Sequence, residues 1–359
     1  MSLSTELTPF KINVDKAILD DLQQRLVNTR WADSVADDWQ RGTAPSALHE
    51  LVKKWADVYD WKSTENRLNK LDHFKLGGIH FVRSGTKGKP ALLLIHGWPD
   101  SFMRFEKIIP MLENDFDLII PSIPGFGFSD RPTEPGVGAT VVADRFAELM
   151  NILGFDKYGI HGGDWGSTIA ELIAVRHSDH VTKIHITDLA PWHNFRVDPS
   201  KLTSEEHEYV TETGAWKQRE GAYIQMQITK PQTIGYALND SPIGLAAWFL
   251  EKYQSWSDGG IDALGMDSIH DTLTLYWVTQ TAPSAARYYF ESANAMAPVP
   301  PVITPTAFAR FPKDFYCIPR SFVERSFNVQ RWTNMAAGGH FTAWEQPGLL
   351  AEDLRAFFL

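Results

Sequence analysis

The chain has almost no cysteine. Cys317 stands alone, which excludes an intramolecular disulfide and any need for an oxidising compartment. Long apolar runs are missing too: nowhere do about 18 apolar residues follow one another, so the sequence predicts no transmembrane helix. The opening stretch, MSLSTELTPFKINVDK, holds no apolar core of signal-peptide length. Basic residues are in deficit, 34 Lys and Arg against 44 Asp and Glu, a net charge of −10. That balance excludes a general nucleic-acid binder and a polybasic membrane anchor. Internal repeats and low-complexity tracts are absent as well. What remains is a soluble, cytoplasmic protein whose 359 residues, 43% hydrophobic and 22% charged, suffice for a large core.

Aromatic residues are abundant: 13 Trp, 10 Tyr and 21 Phe. They fit an aromatic-lined cavity as well as a large core. Residues 1–85 read as a helical preface packing on the body. Asn13 or Asp15 can cap a helix carrying Ile18, Leu19, Leu22 and Leu26 on one face. Ser46 can cap a second, with Leu48, Leu51, Val52 and Trp55 as its stripe. Between His73 and Arg83, the Gly77-Gly78 pair predicts a small hairpin.

The pattern then becomes α/β. Short apolar runs at Ala91–Ile95, Asp117–Ile120, Tyr158–His161 and Lys183–Thr187 read as buried parallel strands. Helical stripes lie between them, one at Val142–Leu153 closed by Gly154, another from about Ser167. Residues 191–301 break this rhythm with helix formers and aromatics, and predict a helical lid. Strand signals return at Thr304–Phe311 and Asn328–Met335, and a helix at Leu349–Phe358 closes the chain. The α/β core is thus assigned to 86–190 and 302–359.

The strongest chemical signal is Gly162-Gly163-Asp164-Trp165-Gly166, placed between a predicted strand and helix. This is the spacing of a nucleophile elbow with aspartate where a serine hydrolase has serine, and the chain contains no G-x-S-x-G. A carboxylate nucleophile displaces a leaving group from an sp3 carbon and becomes an ester, which water must then cleave. Such a site needs a base and an oxyanion hole. His340, in Gly338-Gly339-His340-Phe341, is the base candidate. The acid should fall between nucleophile and histidine in chain order. Asp314 leads, Asp188 at the end of a strand is its rival, and Glu324 is third. His96-Gly97-Trp98-Pro99 follows the first long strand in the position of an oxyanion loop, so the backbone N–H groups of Trp98 and Trp165 are the donor candidates.

With these motifs in view, the sequence resembles the epoxide hydrolases of the α/β-hydrolase fold, in their microsomal and juvenile-hormone branch. The resemblance spans nearly the whole chain and rests on Trp39 and Gly42, HGWP (96–99), PGFGFSD (124–130), GGDWGS (162–167), KPQTIGYALNDSPIGLAAW (230–248) and GGHFTAWEQP (338–347). It implies an α/β fold with a mostly parallel, doubly wound sheet, a helical lid and an N-terminal extension. It implies Asp164 as nucleophile, His340 as base, Asp314 as its acid, and two lid tyrosines, Tyr223 and Tyr289, as donors to the epoxide oxygen, with Tyr288 the alternative to Tyr289. The branch usually carries glutamate as the acid, and the membrane-anchoring helix of its animal members has no counterpart here, which points to a soluble, microbial-type member.

The expected reaction is conversion of a hydrophobic epoxide and water to a vicinal diol through an aspartyl ester, with no metal or organic cofactor. Haloalkane or haloacid dehalogenation uses the same nucleophile and base, but needs halide donors rather than a proton donor for an alkoxide. A small-molecule receptor on a retired hydrolase scaffold is the third reading; such proteins lose a triad member, and none is missing here. The preface has two readings, a homodimer surface or a cover over sheet and lid.

Overall fold

A computed structural model describes residues 3, 5–195, 197–295 and 297–359. Its centre is a nine-stranded sheet of β1 (Leu7–Phe10), β2 (Asp72–Leu76), β3 (Ile79–Gly85), β4 (Ala91–Ile95), β5 (Asp117–Pro121), β6 (Tyr158–Gly162), β7 (Val181–Ile186), β8 (Val302–Arg310) and β9 (Phe327–Asn334), in the order β1-β2-β3-β5-β4-β6-β7-β8-β9. From β5 to β9 all neighbours are parallel, whereas β1, β2 and β3 join antiparallel. The strand β4 explains why its sequence is apolar at every position. Leu93 and Ile95 pack into the core with the helices Ala139–Ile152 and Trp165–Arg176, while Leu92 and Leu94 pack into the opposite core with Leu350 and Leu354. Side chains alternate across a strand, so a sheet covered on both faces must be apolar throughout.

The preface is not helical throughout. Its helices are Lys16–Val27, capped by the Asp15 carboxylate on the Ala17 N–H, Pro45–Asp57 and Trp61–Leu68. The last was not anticipated, although Asp60 caps it through two backbone N–H groups. Nor was the edge strand β1: four mostly exposed residues including Pro9 show no alternation to read. Ser46 does not cap the second helix. Pro45, with its fixed φ, starts the helix two residues earlier after Ala44, and the Ser46 N–H donates to Asp37 Oδ1 at 3.0 Å. The helix expected from Ser167 begins at Trp165, because the backbone reversal at Asp164 ends the preceding turn.

The segment between β7 and β8 is helical, from Ser204–Glu220 to Ala282–Ala295, and roofs the carboxyl edge of the sheet. The preface helices hold this roof from outside. Trp55 Nε1 donates to Thr274 Oγ1 at 2.8 Å, Thr43 Oγ1 to the Ala247 carbonyl at 2.6 Å, and Arg25 pairs with Asp240 at 2.9 Å. Among the described residues no helix is long and apolar enough to cross a membrane.

Trp55 is 2% exposed and combines buried ring area with a satisfied N–H. Trp55→Ala is expected to cost about 3–5 kcal/mol of unfolding free energy, read as a lowered urea midpoint.

Candidate active site

Every chemically relevant residue of the core leaves the carboxyl end of a parallel strand. Registers Ile95↔Gly162 and Gly162↔Ile186 set the ends of β4, β6 and β7 side by side. The chain crosses from β5 over β4 to β6, so the loops after β4 and β6 flank the point where the winding reverses. This is where open α/β sheets form their crevice.

Asp164 occupies the turn after β6 with φ 57° and ψ −125°, a left-handed conformation costing about 1–3 kcal/mol for a residue with a Cβ. Two glycines make room for it. A Cβ on Gly166 would lie 2.2 Å from the Ile95 carbonyl oxygen, so glycine lets the new helix press against β4. A Cβ on Gly97 would lie 2.4 Å from the Asp164 Oδ1, so glycine lets the oxyanion loop pass beside the carboxylate. The next N–H, that of Trp98, then donates to Asp164 Oδ1 at 2.8 Å. Trp165 is the first residue of its helix, and its N–H has no intrahelical acceptor. Asp164 and the two expected donors are therefore brought together.

His340 follows β9 and is 2% exposed. Its ring stacks on Phe315 with centroids 4.1 Å apart and meets the edge of Trp256 at 5.4 Å. Nδ1 bonds Asp314 Oδ1 at 3.0 Å, while Nε2 faces Asp164 Oδ2 at 3.6 Å and makes no hydrogen bond to the protein. Burial disfavours the charged ring, but the Asp314 and Asp164 carboxylates outweigh it and push its pKa up to about 10. Asp188 does not bond the imidazole; its carboxylate accepts the backbone N–H of Asp164. Glu324 is exposed and paired with Arg320. Asp188, Asp314 and His340 bring donor atoms within 4.8 Å of one another, the spacing of a metal site. Here, however, His340 and Asp314 are bonded to each other and Asp188 to the elbow, so the cluster already satisfies itself.

Tyr223 and Tyr289 hang from the lid opposite Asp164. Their ring centroids are 6.3 Å apart; Tyr223 stacks on Trp98 at 5.2 Å and Tyr289 meets Trp165 edge-on at 4.9 Å. Burial, and then the nearby Asp164 charge, raise both phenols well above their ordinary pKa, so both keep their proton. Both line a cavity of about 710 Å³ with Asp164, Trp192, Trp216 and Tyr316. Tyr288, the alternative to Tyr289, instead packs against Phe126 and Trp165 and is no part of that lining.

Sequence reasoning missed the supports of the histidine loop. Glu345 accepts the N–H groups of Asp258, Gly339 and Phe341, and Trp256 O accepts that of His340 at 2.8 Å. Arg104, buried and paired with Asp100 at 2.9 Å, donates to the His340 carbonyl at 3.2 Å. Glu345 lay within the GGHFTAWEQP motif, but a carboxylate that serves backbone amides carries no spacing rule of its own.

This geometry agrees with what the chain is similar to. Residues 7–105 match the family model described as the epoxide hydrolase N terminus, and 90–210 the alpha/beta hydrolase fold. A putative epoxide hydrolase of Stigmatella aurantiaca (strain DW4/3-1) is 37% identical over 98% of this chain and 84% of its own length. The chain belongs to the epoxide hydrolase family. Epoxide hydrolase 1 of Sus scrofa is 34% identical over 98% of this chain and 88% of its own. Among solved structures, juvenile hormone epoxide hydrolase from the silkworm Bombyx mori gives a TM-score of 0.89 at 30% identity, covering 99% of this chain and 94% of that one. The epoxide hydrolase of Aspergillus niger gives 0.87 at 31%, covering 99% and 97%. The α/β-hydrolase fold and the epoxide-opening activity expected from the sequence are thereby established, and they displace the dehalogenase and receptor readings.

The loop after β4 of this epoxide hydrolase is tied down by a buried, neutral histidine. His96 Nε2 accepts the Ile123 N–H at 3.1 Å and Nδ1 bonds the Gly97 carbonyl at 3.0 Å, while burial lowers its pKa to about 4. Unfolding frees it to bind a proton near its ordinary 6.5. Its contribution is therefore complete above about pH 6.5 and is lost as pH falls toward 4. The difference in urea midpoint between wild type and His96→Asn, which cancels the titration of His340 and the buried carboxylates, is expected to shrink as pH falls from 7 to 5.

Proposed function

We propose that this epoxide hydrolase opens hydrophobic epoxides through a covalent ester on Asp164. The observation that carries the reading is the opposition of Asp164 and the Tyr223–Tyr289 pair across one cavity. The phenol protons hydrogen-bond the ring oxygen while Asp164 Oδ2, the oxygen not held by Trp98, attacks a ring carbon in line. The C–O bond of the epoxide breaks, its electron pair passes to oxygen, and a tyrosine proton neutralises the alkoxide.

Alkylation removes the Asp164 charge that helps keep His340 protonated, so the imidazolium gives up its proton, the tyrosinate regains one through solvent, and the neutral imidazole becomes a competent base. Water attacks the ester carbon, giving up a proton to Nε2, while Asp314 at Nδ1 orients and stabilises the imidazolium. The N–H groups of Trp98 and Trp165 stabilise the tetrahedral oxyanion. Collapse breaks the Cγ–Oδ2 bond, His340 returns its proton to the departing oxygen, the vicinal diol leaves carrying an oxygen from Asp164, and the new Asp164 carboxyl group ionises to recharge His340. No step calls on a metal or organic cofactor. The aromatic lining from Trp192, Trp216 and Tyr316 favours a substrate with an apolar body.

The test is His340→Gln mixed with styrene oxide and examined by intact-mass and peptide mass spectrometry. An adduct of one substrate mass on the peptide bearing Asp164 is expected to accumulate. Absence of any adduct, with a wild type that turns the substrate over, overturns the scheme. Tyr223→Phe and Tyr289→Phe are each expected to slow ester formation by about 10²-fold while leaving ester hydrolysis near the wild-type rate, resolved by rapid quench.

A further inference from the structure

Asp188 touches both halves of this machinery and the scheme above leaves it idle. It ends β7, is 9% exposed, and lines the cavity beside Asp164. One oxygen accepts the backbone N–H of Asp164, the residue held at positive φ. Its carboxylate also lies within 4.8 Å of both the Asp314 oxygen and the His340 nitrogen. A buried acid is costly unless its charge is used. Asp314 would suffice to orient the imidazole, so a second acid at this distance calls for its own account.

We propose that Asp188 is a positioning residue with two duties: it fixes the strained elbow that presents Asp164, and it is a second anion for the His340 imidazolium during ester hydrolysis. This rests on the covalent route proposed above. In the free enzyme His340 faces two charged carboxylates; once Asp164 is an ester, only Asp314 remains in contact. Asp188, farther off and without bonding the ring, then adds part of that charge when the imidazolium forms in the attack of water. The groups facing it are Asp164 from the turn after β6, Asp314 and Tyr316 from the loop after β8, His340 from the loop after β9, Tyr209 from the first lid helix, and Arg310 at the end of β8. Burial, then the Asp314 charge, push the Asp188 pKa up to about 7, so it changes charge within the working range. Ionised Asp188 favours the imidazolium. The acid limb of ester hydrolysis therefore lies higher in pH than it would beside a neutral neighbour.

Asp188→Asn separates the duties, because the amide oxygen still accepts the Asp164 N–H while the charge is gone. Single turnovers of styrene oxide with enzyme in excess, quenched between pH 5.5 and 9 and read by intact mass, give ester formation and hydrolysis separately. In Asp188→Asn, ester formation is expected to stay within about twofold of wild type, while the acid limb of hydrolysis moves down by about one pH unit. In the Asp314→Asn background, Asp188→Asn is expected to slow hydrolysis about tenfold beyond the product of the two single effects. An acid limb that does not move, with single effects that simply multiply, overturns the proposal while leaving the covalent route intact. Failure of the route itself shows differently, as absence of ester in wild type and His340→Gln alike. Asp188→Ser, smaller and also an acceptor, repeats the measurement if the amide disturbs folding.

Discussion

The backbone reversal at Asp164 has to be held against its own strain, and the surrounding architecture follows from how that is done. A residue with a side chain sits at φ 57° only where several contacts over-determine it. The parallel register of β4 and β6 is one of them, since it brings the Ile95 carbonyl against Gly166 and leaves space for no Cβ there. The Trp98 N–H on Oδ1 and the Asp188 carboxylate on the Asp164 N–H are the others. The same contacts that hold the elbow also set the loop after β4 beside Asp164, within range of His340.

Electrostatics sets the second constraint. Three carboxylates and one imidazole lie close together and largely buried, and their charges cannot be independent. His340 is held protonated by two anions despite its burial. The proposed alkylation of Asp164 is thus also the event that releases the base. On that route one change of covalent state switches the site from an attacking carboxylate to an attacking water.

The lid and the preface complete the site from the other side. The lid supplies Tyr223, Tyr289 and most of the aromatic walls, and the segment Trp256 to Asp258 ties it to the histidine loop. Preface helices clamp the lid through Trp55 and Arg25, and the bend before the second helix does so through Thr43, while β2 and β3 of the same segment extend the sheet. This dual attachment couples the lid to the core by packing rather than by a hinge.

By itself the sequence determined the strands that are apolar at every position, the Gly-Gly-Asp-Trp-Gly turn, the His340 loop and the helical character of 191–301. Each is a local signal: period, composition or a turn whose glycines are dictated by close approach. It left Asp314, Asp188 and Glu324 as competing acids, because chain order restricts the acid to a segment and says nothing of which carboxylate reaches Nδ1. Tyr289 could be told from Tyr288 only once the helix Ala282–Ala295 had its orientation over Asp164, since adjacent helical residues point about 100° apart. The edge strand β1, the helix Trp61–Leu68, and Glu345, Arg104 and Asp188 as supports were settled by tertiary structure alone. Their partners lie on other strands and loops, and a hydrogen bond to a distant backbone amide leaves no pattern in the sequence that makes it.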